Sequence, residues 1–259
     1  VTFATSGAPF VYDAWAGQQT PVVAFDITDG GIRVPISLAG NQTVIFAFHH
    51  TESCNHHLEN SQLGVYTSSS AGSESGTELR VCAAGDQILT LTNGTKITPL
   101  ADIETSIIAL QDWTLVVEAW SAPMSLAEFP RNYTSSRTNS TFQLKSLQPW
   151  STISESLRNV SGRGFYNTTF DWLPVDKREG AILNLGYIMH SARVWINGIQ
   201  LQPLDPTSPV ADVTDLLVRG RNKIDIVIAT TLGQSVLAVW NEIQAGGFPV
   251  ALTALPPDE

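Results

Sequence analysis

The sequence is poor in positive charge and contains no long apolar run. Its 259 residues include 14 Lys and Arg against 24 Asp and Glu, a formal net charge of −10 at pH 7. A nucleic-acid-binding chain needs clustered Lys and Arg to contact phosphates, so this composition argues against such a partner. No apolar run approaches the roughly 20 residues that a membrane-spanning helix requires. The sequence predicts an acidic, soluble, globular protein with no nucleic acid and no membrane as partner.

The motifs of common catalytic sites are also missing. There is no Gly-x-Ser-x-Gly elbow, no His-Glu-x-x-His and no phosphate-binding loop. Alternating strand–helix units are absent, which excludes a (β/α)8 barrel and a dinucleotide-binding fold. Several carboxylates fall in strands or turns where solvated roles are ordinary: Glu104, Glu118, Asp171, Asp176 and Glu179. We therefore predict no catalytic residue in this chain.

What the sequence does contain is a long series of short β-rich runs. In Trp113–Trp120 the odd and even positions point to opposite faces of a sheet. Asp29-Gly30-Gly31 and Asn197-Gly198 supply the positive-φ residues of tight hairpin turns. Only short helical turns are expected, at Ile153–Arg158 and Val213–Val218. The predicted fold class is all-β.

Two β-sandwich domains fit this pattern better than one. The first covers residues 1–108 and includes an exposed Ser/Gly-rich loop at residues 68–76, which is too polar to offset its ordering entropy. The second covers residues 109–259. Within it, Ser121–Ser151 is rich in Ser, Thr, Pro and Asn and is interpreted as a long surface connection.

Five segments of the second domain occur in a characteristic order. They are Val160–Phe170, Ala181–Gly186, Ala192–Gly198, Pro209–Leu217 and Arg219–Ile228. This order resembles the galactose-binding-like jelly roll that serves as the sugar-binding domain of glycoside hydrolase family 2. It looks closest to the version in family 106 α-L-rhamnosidase-like enzymes of filamentous fungi. The first domain, with Pro9–Gly17, Val34–Leu38 and Thr43–Phe48, is similar to the β-sandwich that follows the catalytic barrel in those enzymes.

The residues of this pattern also have structural explanations. Gly162 and Gly164 are expected to let the chain turn sharply into a strand at Phe165–Phe170. A hairpin closed at Asn197-Gly198 buries Ala192, Val194 and Ile196, and leaves Arg193 and Trp195 together on the other face. Asp212 or Thr214 can cap the turn after them, and Gly220-Arg221-Asn222 is expected to turn into the Lys223–Ala229 strand.

Six asparagines lie in Asn-x-Ser/Thr sequons, the acceptors of N-linked glycans: Asn41, Asn93, Asn132, Asn139, Asn159 and Asn167. Four of the six cluster between residues 132 and 167. The cluster predicts a secreted, extracellular glycoprotein.

Cys54 and Cys82 are the only cysteines and lie 28 positions apart. In an oxidising compartment they would close a disulfide loop worth about 3.6 kcal/mol in the chain-entropy model. Two alternatives remain open. The cysteines are free thiols, or Cys54 joins His49, His50, His56 and His57 in a zinc site, although the spacing matches no standard finger. The disulfide is the favoured interpretation, and no metal site is predicted.

Sugar binding would require an exposed aromatic ring beside polar side chains, because aromatic faces stack on sugar rings. The candidates are Trp172, Arg193, Trp195, Asn197, Asp205 and Trp240, with Trp150 as a further aromatic. The competing explanation for each Trp is packing in a core or between domains, which buries 150–250 Å² per large aromatic. No cofactor is expected. A structural calcium ion is implied only by the resemblance, because no Asp-rich loop with ligand spacing is present.

The resemblance implies that the chain is a non-catalytic accessory region of a secreted, rhamnosidase-like glycoside hydrolase. Acid and base carboxylates would lie on a separate (β/α)8 barrel, which is the expected partner chain or domain. Two other classes stay open. One is a free-standing carbohydrate-binding module or lectin. The other is a self-contained enzyme with two carboxylates about 5–10 Å apart in a cleft between its β-domains.

Overall fold

The fold was analysed in a computed structural model of the chain. The structure describes residues 1–36, 38, 40–50, 58–59, 65–68, 78–81, 89–92, 94, 96–97, 106–121, 136–175, 179–189, 191–238 and 240. The chain divides into two compact units, Val1–Ile108 and Ala109–Glu259. Both consist of antiparallel strands, so the all-β prediction is confirmed. Among the residues described, no helix is long and apolar enough to span a membrane.

Unit 1 contains eleven described strands. They are β1 (Thr2–Phe3), β2 (Ala8–Asp13), β3 (Gln18–Pro21), β4 (Asp26–Thr28), β5 (Gly31–Arg33), β6 (Ile45–His49), β7 (Leu58–Glu59), β8 (Val65–Ser68), β9 (Glu78–Val81), β10 (Leu89–Leu91) and β11 (Lys96–Ile97). They pair in the orders β1-β5-β4, β3-β2-β6, β11-β10-β7 and β8-β9.

The core of unit 1 is small and aromatic. Phe25, Ile32 and Val34 are buried, and the rings of Phe3 and Phe46 pack near them with centroids 5.3 Å apart. The predicted β4–β5 hairpin is present, and Gly31 after the turn has φ of 121°. A Cβ at Gly31 would collide with the carbonyl oxygen of Phe3 on β1. Strand β1 can therefore pair this closely with β5 only because residue 31 is a glycine.

Unit 2 is built on one large sheet. Its strands are β12 (Trp113–Ser121), β13 (Ser136–Leu144), β14 (Gly162–Trp172), β15 (Ile182–Asn184), β16 (Ser191–Ile196), β17 (Ile199–Gln200), β18 (Val210–Asp212) and β19 (Gly220–Ala229). Six of them form an antiparallel sheet in the order β13-β12-β14-β19-β16-β17, and β15 pairs with β18. The helices are α1 (Trp150–Ile153) and α2 (Gly233–Ala238), with 3-10 turns at Glu155–Leu157 and Thr214–Leu216.

One face of this sheet is the core of the unit. Trp113, Leu115, Val117, Ile224 and Ile226 are buried with exposed fractions of 4% or less. They alternate along β12 and β19, as a strand with one buried face requires. Apolar residues of α1, of the β15–β18 pair and of both 3-10 turns pack against them and supply the second layer. This arrangement is an all-β sandwich.

Two aromatic residues inside that core share a polar contact. The indole Nε1 of Trp150 donates to the hydroxyl oxygen of Tyr166 at 2.7 Å. Tyr166 also meets the Trp113 ring edge-on, with centroids 6.5 Å apart. Burial raises the pKa of the Tyr166 phenol, and the hydrogen bond from Trp150 partly opposes that shift because it stabilises the phenolate. Trp150 is therefore part of the core, and its prediction as a sugar platform is wrong.

Three local sequence predictions need correction. The segment Ser121–Ser151 is not one long connection, because it contains β13, which pairs with β12 over nine residues. Gly162 and Gly164 lie inside β14 rather than in a turn before it. A Cβ on Gly162 would collide with the Glu118 carbonyl oxygen, and one on Gly164 would lie 2.8 Å from the Trp150 ring. These glycines permit close packing across the sheet, not a change of direction.

The third correction concerns Gly220-Arg221-Asn222, which was predicted as a turn but lies within β19. Asn222 is the residue of this segment with the most side-chain hydrogen bonds to its surroundings. Its side chain is 1% exposed and makes four hydrogen bonds. Nδ2 donates to the Val218 and Gly220 carbonyls, and Oδ1 accepts from the Val218 N–H and from Asn197 Nδ2. A buried amide must satisfy its polar atoms, so Asn222 fixes the chain segment that leads into β19.

Candidate carbohydrate-binding face and cleft

The second face of the six-stranded sheet points away from the core. We call it the outer face. It consists of the even-numbered positions of β12 and the odd-numbered positions of β13, β14, β16 and β19, because side chains alternate along each strand. One cross-strand row contains Thr114, Asn167, Asp225 and Trp195. The next contains Val116, Phe165, Val227 and Arg193.

Arg193 and Trp195 lie together at one side of the outer face, as predicted for this strand. Trp195 is half-buried and pairs across the ladder with Asp225, while Arg193 is exposed. Neither the Trp195 indole N–H nor the Arg193 guanidinium bonds to another residue in the part of the chain that the structure describes. Asp225 accepts from Lys223 Nζ at 2.8 Å. An aromatic ring with unused donors beside it is an arrangement that can stack on and hydrogen-bond a sugar.

A second tryptophan on the outer face has a different environment. The guanidinium carbons of Arg137 and Arg163 lie 5.0 and 5.3 Å from the Trp120 ring centroid. Its Nε1 donates to Glu118 Oε1 at 2.7 Å, and Arg137 lies 4.0 Å from the same carboxylate. The π-system and the N–H of Trp120 are thus occupied by cation–π and hydrogen-bond partners within the chain.

A polar cleft of about 530 Å³ opens at the end of the outer face where β14 terminates. Its lining is Asp112, Thr114, Asn167, Thr168, Thr169, Phe170, Asp171 and Arg221. The Asp112 side chain is 77% exposed and its Oδ1 lies 2.9 Å from Lys145 Nζ. Arg221 donates from Nε and Nη2 to Thr169 Oγ1 at 3.2 and 2.9 Å. The cleft was not predicted from the sequence, although the alternate positions Asn167, Thr169 and Asp171 share one face of the strand.

The other candidate residues do not join Arg193 and Trp195. Trp172 is the last residue of β14 and has the parity of the inner face. Trp240 follows α2, which is held at the opposite end of β14 by the bond from Ser235 N to Ser161 Oγ. Ten residue-to-residue steps of strand separate Gly162 from Trp172, about 33 Å at the usual rise. Trp172 and Trp240 therefore belong to different regions of unit 2.

Asn197 and Asp205 have local structural roles. Asn197 Nδ2 donates to Leu216 O and to Asn222 Oδ1, and its Oδ1 accepts from the Lys223 N–H at 2.9 Å. It occupies the β16–β17 turn with φ of 50°, followed by Gly198 with φ of 83°, as a two-residue hairpin requires. Asp205 Oδ1 accepts from the N–H and the hydroxyl of Thr207, which closes an Asx turn.

Several predictions fall outside the residues described: the disulfide Cys54–Cys82, His56 and His57, Asp176, and the sequons Asn93 and Asn132. Asn41, Asn139 and Asn159 are described and exposed, and Asn167 is half-buried. Of the two described histidines, His49 contacts Gln19 Nε2 at 2.6 Å and His50 lies 3.4 Å from Ser6 Oγ. Within the ranges that the structure describes, no group of three or more His, Cys, Asp or Glu could hold a metal ion.

Comparison with known proteins gives a result at the level of the fold. No protein-family model and no curated protein matches the chain. The solved structure of the rhamnosidase from Novosphingobium sp. PP1Y is similar, with a TM-score of 0.59 and 16% sequence identity. The match covers 92% of this chain and 18% of the rhamnosidase chain, so this sequence spans less than a fifth of that protein. Nearly the entire chain thus has the fold of one part of a glycoside hydrolase.

Two further matches are partial. One is to a β-D-glucuronidase from Dictyoglomus thermophilum, 20% identical over 48% of this chain and 20% of its own, with a TM-score of 0.28. The other is to a β-glucuronidase from an uncultured Clostridium species, 15% identical over 49% of this chain and 24% of its own, with a TM-score of 0.29. These TM-scores are too low to support a shared fold over that length. The statement on the fold therefore rests on the rhamnosidase, of which this chain covers 18%.

Proposed function

We propose that the chain is a non-catalytic, carbohydrate-binding-like accessory region of a secreted, α-L-rhamnosidase-like glycoside hydrolase. The observation that carries the proposal is the fold similarity of 92% of this chain to less than a fifth of a rhamnosidase. In this proposal a separate (β/α)8 catalytic domain breaks the glycosidic bond during breakdown of plant or microbial polysaccharides. The same proposal includes a fungal, family 106-like origin and a galactose-binding-like jelly roll for unit 2.

The proposed sugar platform is Trp195 with Arg193. The free indole N–H and the free guanidinium can donate to sugar hydroxyls, and the half-buried ring can stack on the sugar with its exposed part. Trp120 is the contrasting case because Arg137 and Arg163 already occupy its surroundings. Secretion, the Cys54–Cys82 disulfide and glycosylation of the sequons belong to the same proposal.

The absence of catalysis is tested by assaying the purified chain on aryl α-L-rhamnosides and aryl β-D-glucuronides. We expect no turnover above that of a heat-denatured sample. Turnover that Asp112→Asn or Asp171→Asn abolishes would contradict the proposal, and would favour a self-contained enzyme that uses the two carboxylates of the cleft.

Sugar binding is tested by glycan-array screening followed by calorimetric titration. Trp195→Ala should abolish saturable binding, because the variant removes the stacking surface. Trp120→Ala is the matched control, as it removes an indole from the same face and should leave the affinity unchanged. Saturable binding that survives Trp195→Ala would place the sugar elsewhere, and the absence of heat with any sugar would leave a purely structural sandwich.

The second candidate function is a free-standing carbohydrate-binding module or lectin. The pair Arg193 and Trp195 favours it, because a platform of this kind functions without a catalytic partner. The two functions differ in the chain composition of native material. A larger polypeptide that co-purifies with this chain or continues it supports the accessory role, whereas saturable binding by an isolated native chain supports the lectin.

A further inference from the structure

We propose that the polar cleft of unit 2 is a modification site in which the inner sugars of an N-linked glycan on Asn167 are held. This inference rests on the proposed secretion of the chain. It concerns a different part of the outer face from the platform at Trp195. It also assigns the cleft to the protein's own glycan rather than to a substrate.

Asn167, the proposed attachment residue, lies in the cleft itself. Asn167 belongs to the sequon Asn167-Thr168-Thr169 and lines the cleft near the middle of β14. Its amide has no hydrogen-bond partner among the residues that are described, although it is half-buried. No bond within the described chain therefore occupies Nδ2, the atom to which a sugar would be attached.

The surroundings of Asn167 match a glycan core. The volume of about 530 Å³ lies within the range of roughly 300–1,000 Å³ of small-molecule sites. Asp171 has no ion-pair partner in the described part of the chain and can accept from sugar hydroxyls. Arg221 uses Nε and Nη2 on Thr169, which leaves its Nη1 available to donate. The cleft thus presents acceptors and donors directly beside the attachment atom.

The same sheet contains a sequon with no such surroundings. Asn139 lies on the edge strand β13, on the same outer face, and pairs with Glu118. It is exposed and lies outside the cleft lining. A glycan on Asn139 would extend into solvent, so the two sites form an internal comparison within one domain.

A glycan held in the cleft also has a chemical consequence. Asp112 and Asp171 are the two carboxylates of the lining and are the pair that a self-contained glycosidase would use. Sugars attached at Asn167 would cover both. The cleft would therefore be closed to substrate even though it contains two acidic side chains.

The test uses the full chain secreted from a eukaryotic host, with peptide mapping to establish occupancy at each sequon. A peptide-N-glycosidase then removes the glycans under native and under denaturing conditions. We expect native release at Asn167 to be about tenfold slower than at Asn139, corresponding to about 1.4 kcal/mol of docking free energy. The two rates should be equal after denaturation.

Variants locate the contacts. Asp171→Ala and Arg221→Gln should each accelerate native release at Asn167 and leave Asn139 unaffected, whereas Arg137→Gln, beside Asn139, should change neither. A glycan on Asn139 but none on Asn167, or equal rates of native glycan release at the two sites, would overturn only the proposal that the cleft holds the Asn167 glycan. A chain without glycan at any sequon would overturn both the proposal that the cleft holds the Asn167 glycan and the proposed secretion. The unglycosylated chain can still be titrated with sugars, so the platform at Trp195 is tested separately.

Discussion

The two faces of the six-stranded sheet in unit 2 come from the same strands but present different chemistry. On the inner face, Trp113, Leu115 and Ile224 are buried among apolar neighbours. On the outer face the same strands present Thr114, Lys223 and Asp225. Because side chains alternate in a strand, each face can change independently of the other. Substitutions on the inner face should affect stability, and those on the outer face should affect recognition.

The largest effect should come from truncating the centre of the inner face. Leu115→Ala should lower the free energy of unfolding of unit 2 by about 2–5 kcal/mol, because the side chain is 0% exposed and its removal leaves a cavity. Val116→Ala, one residue along on the outer face, is the control and should cost less than half as much. Urea denaturation followed by tryptophan fluorescence measures both. Equal losses would mean that the outer face is packed as tightly as the inner one.

The next effect concerns the contact between neighbouring strands. Gly162→Ala should destabilise unit 2 by about 1–3 kcal/mol or more, because the new Cβ would meet the Glu118 carbonyl of β12 and force the two strands apart. Gly40→Ala is the control, since no atom lies within 4 Å of the added Cβ. Thermal unfolding by calorimetry separates them. A Gly162→Ala variant as stable as the original chain would show that the β12–β14 ladder is less tightly paired than described.

An effect no larger than that of Gly162→Ala, but with a pH dependence, is expected at Tyr166. Tyr166→Phe should cost about 1–3 kcal/mol, because the buried Trp150 N–H loses its acceptor. Burial raises the pKa of Tyr166 above its usual value of 10.0, so above that pH the unfolded chain loses its phenolic proton first. The contribution of the protonated Tyr166 to the free energy of unfolding is complete below pH 10, and it is lost as the pH rises through the pKa of Tyr166 in the folded chain.

The pH dependence can be isolated by difference. Unfolding free energies of the original chain and of Tyr166→Phe should converge as the pH rises above 10, since only the former loses this contribution. Absorbance titration at the phenolate band gives an independent readout in the folded state. A constant difference between the two proteins across that range would contradict the burial of Tyr166.

The smallest effect should come from the charged side of the outer face. Arg137→Gln removes one guanidinium from the Trp120 ring and should cost about 0.5–1 kcal/mol, because the Arg137 side chain is 55% exposed. A double-mutant cycle of Arg137→Gln with Trp120→Leu isolates the cation–π component from the other contacts of either residue. A coupling free energy of zero would mean that the two side chains are neighbours without a stabilising interaction.

The sequence predicts the two faces well wherever a strand alternates clearly. The alternation predicts Arg193 and Trp195 on one side of β16 and Val194 and Ile196 on the other, and the structure agrees. The hairpins predicted at Asp29-Gly30-Gly31 and Asn197-Gly198 are both present, with positive φ at Gly31 in the first and at Asn197 and Gly198 in the second. Local conformational rules were sufficient in these places.

The wrong predictions fall where tertiary contacts, rather than local sequence, determine the conformation or burial of a residue. The sequence predicts a surface connection where β13 lies, because only Phe142 and Leu144 among the nine residues of this strand are large and apolar. Gly162 and Gly164 were assigned to a turn, since a sequence does not reveal that another strand or the Trp150 ring lies against them. Trp150 offered no signal to distinguish a core indole from an exposed one. The cleft around Asn167 depends on residues from three strands and could not be read from any one of them.

The polar composition of β13 has a further effect on the behaviour of the protein in concentrated solution. Among the strands that the structure describes it is the outermost on one side of the sheet, and an edge strand of this kind can be extended by another chain. Ser136, Arg137 and Asn139 make this border hydrophilic and charged, and a bulky saccharide on Asn139 would shield it physically. The feature that concealed the strand in the sequence thus also discourages copies of the molecule from joining edge to edge into fibrils or precipitates.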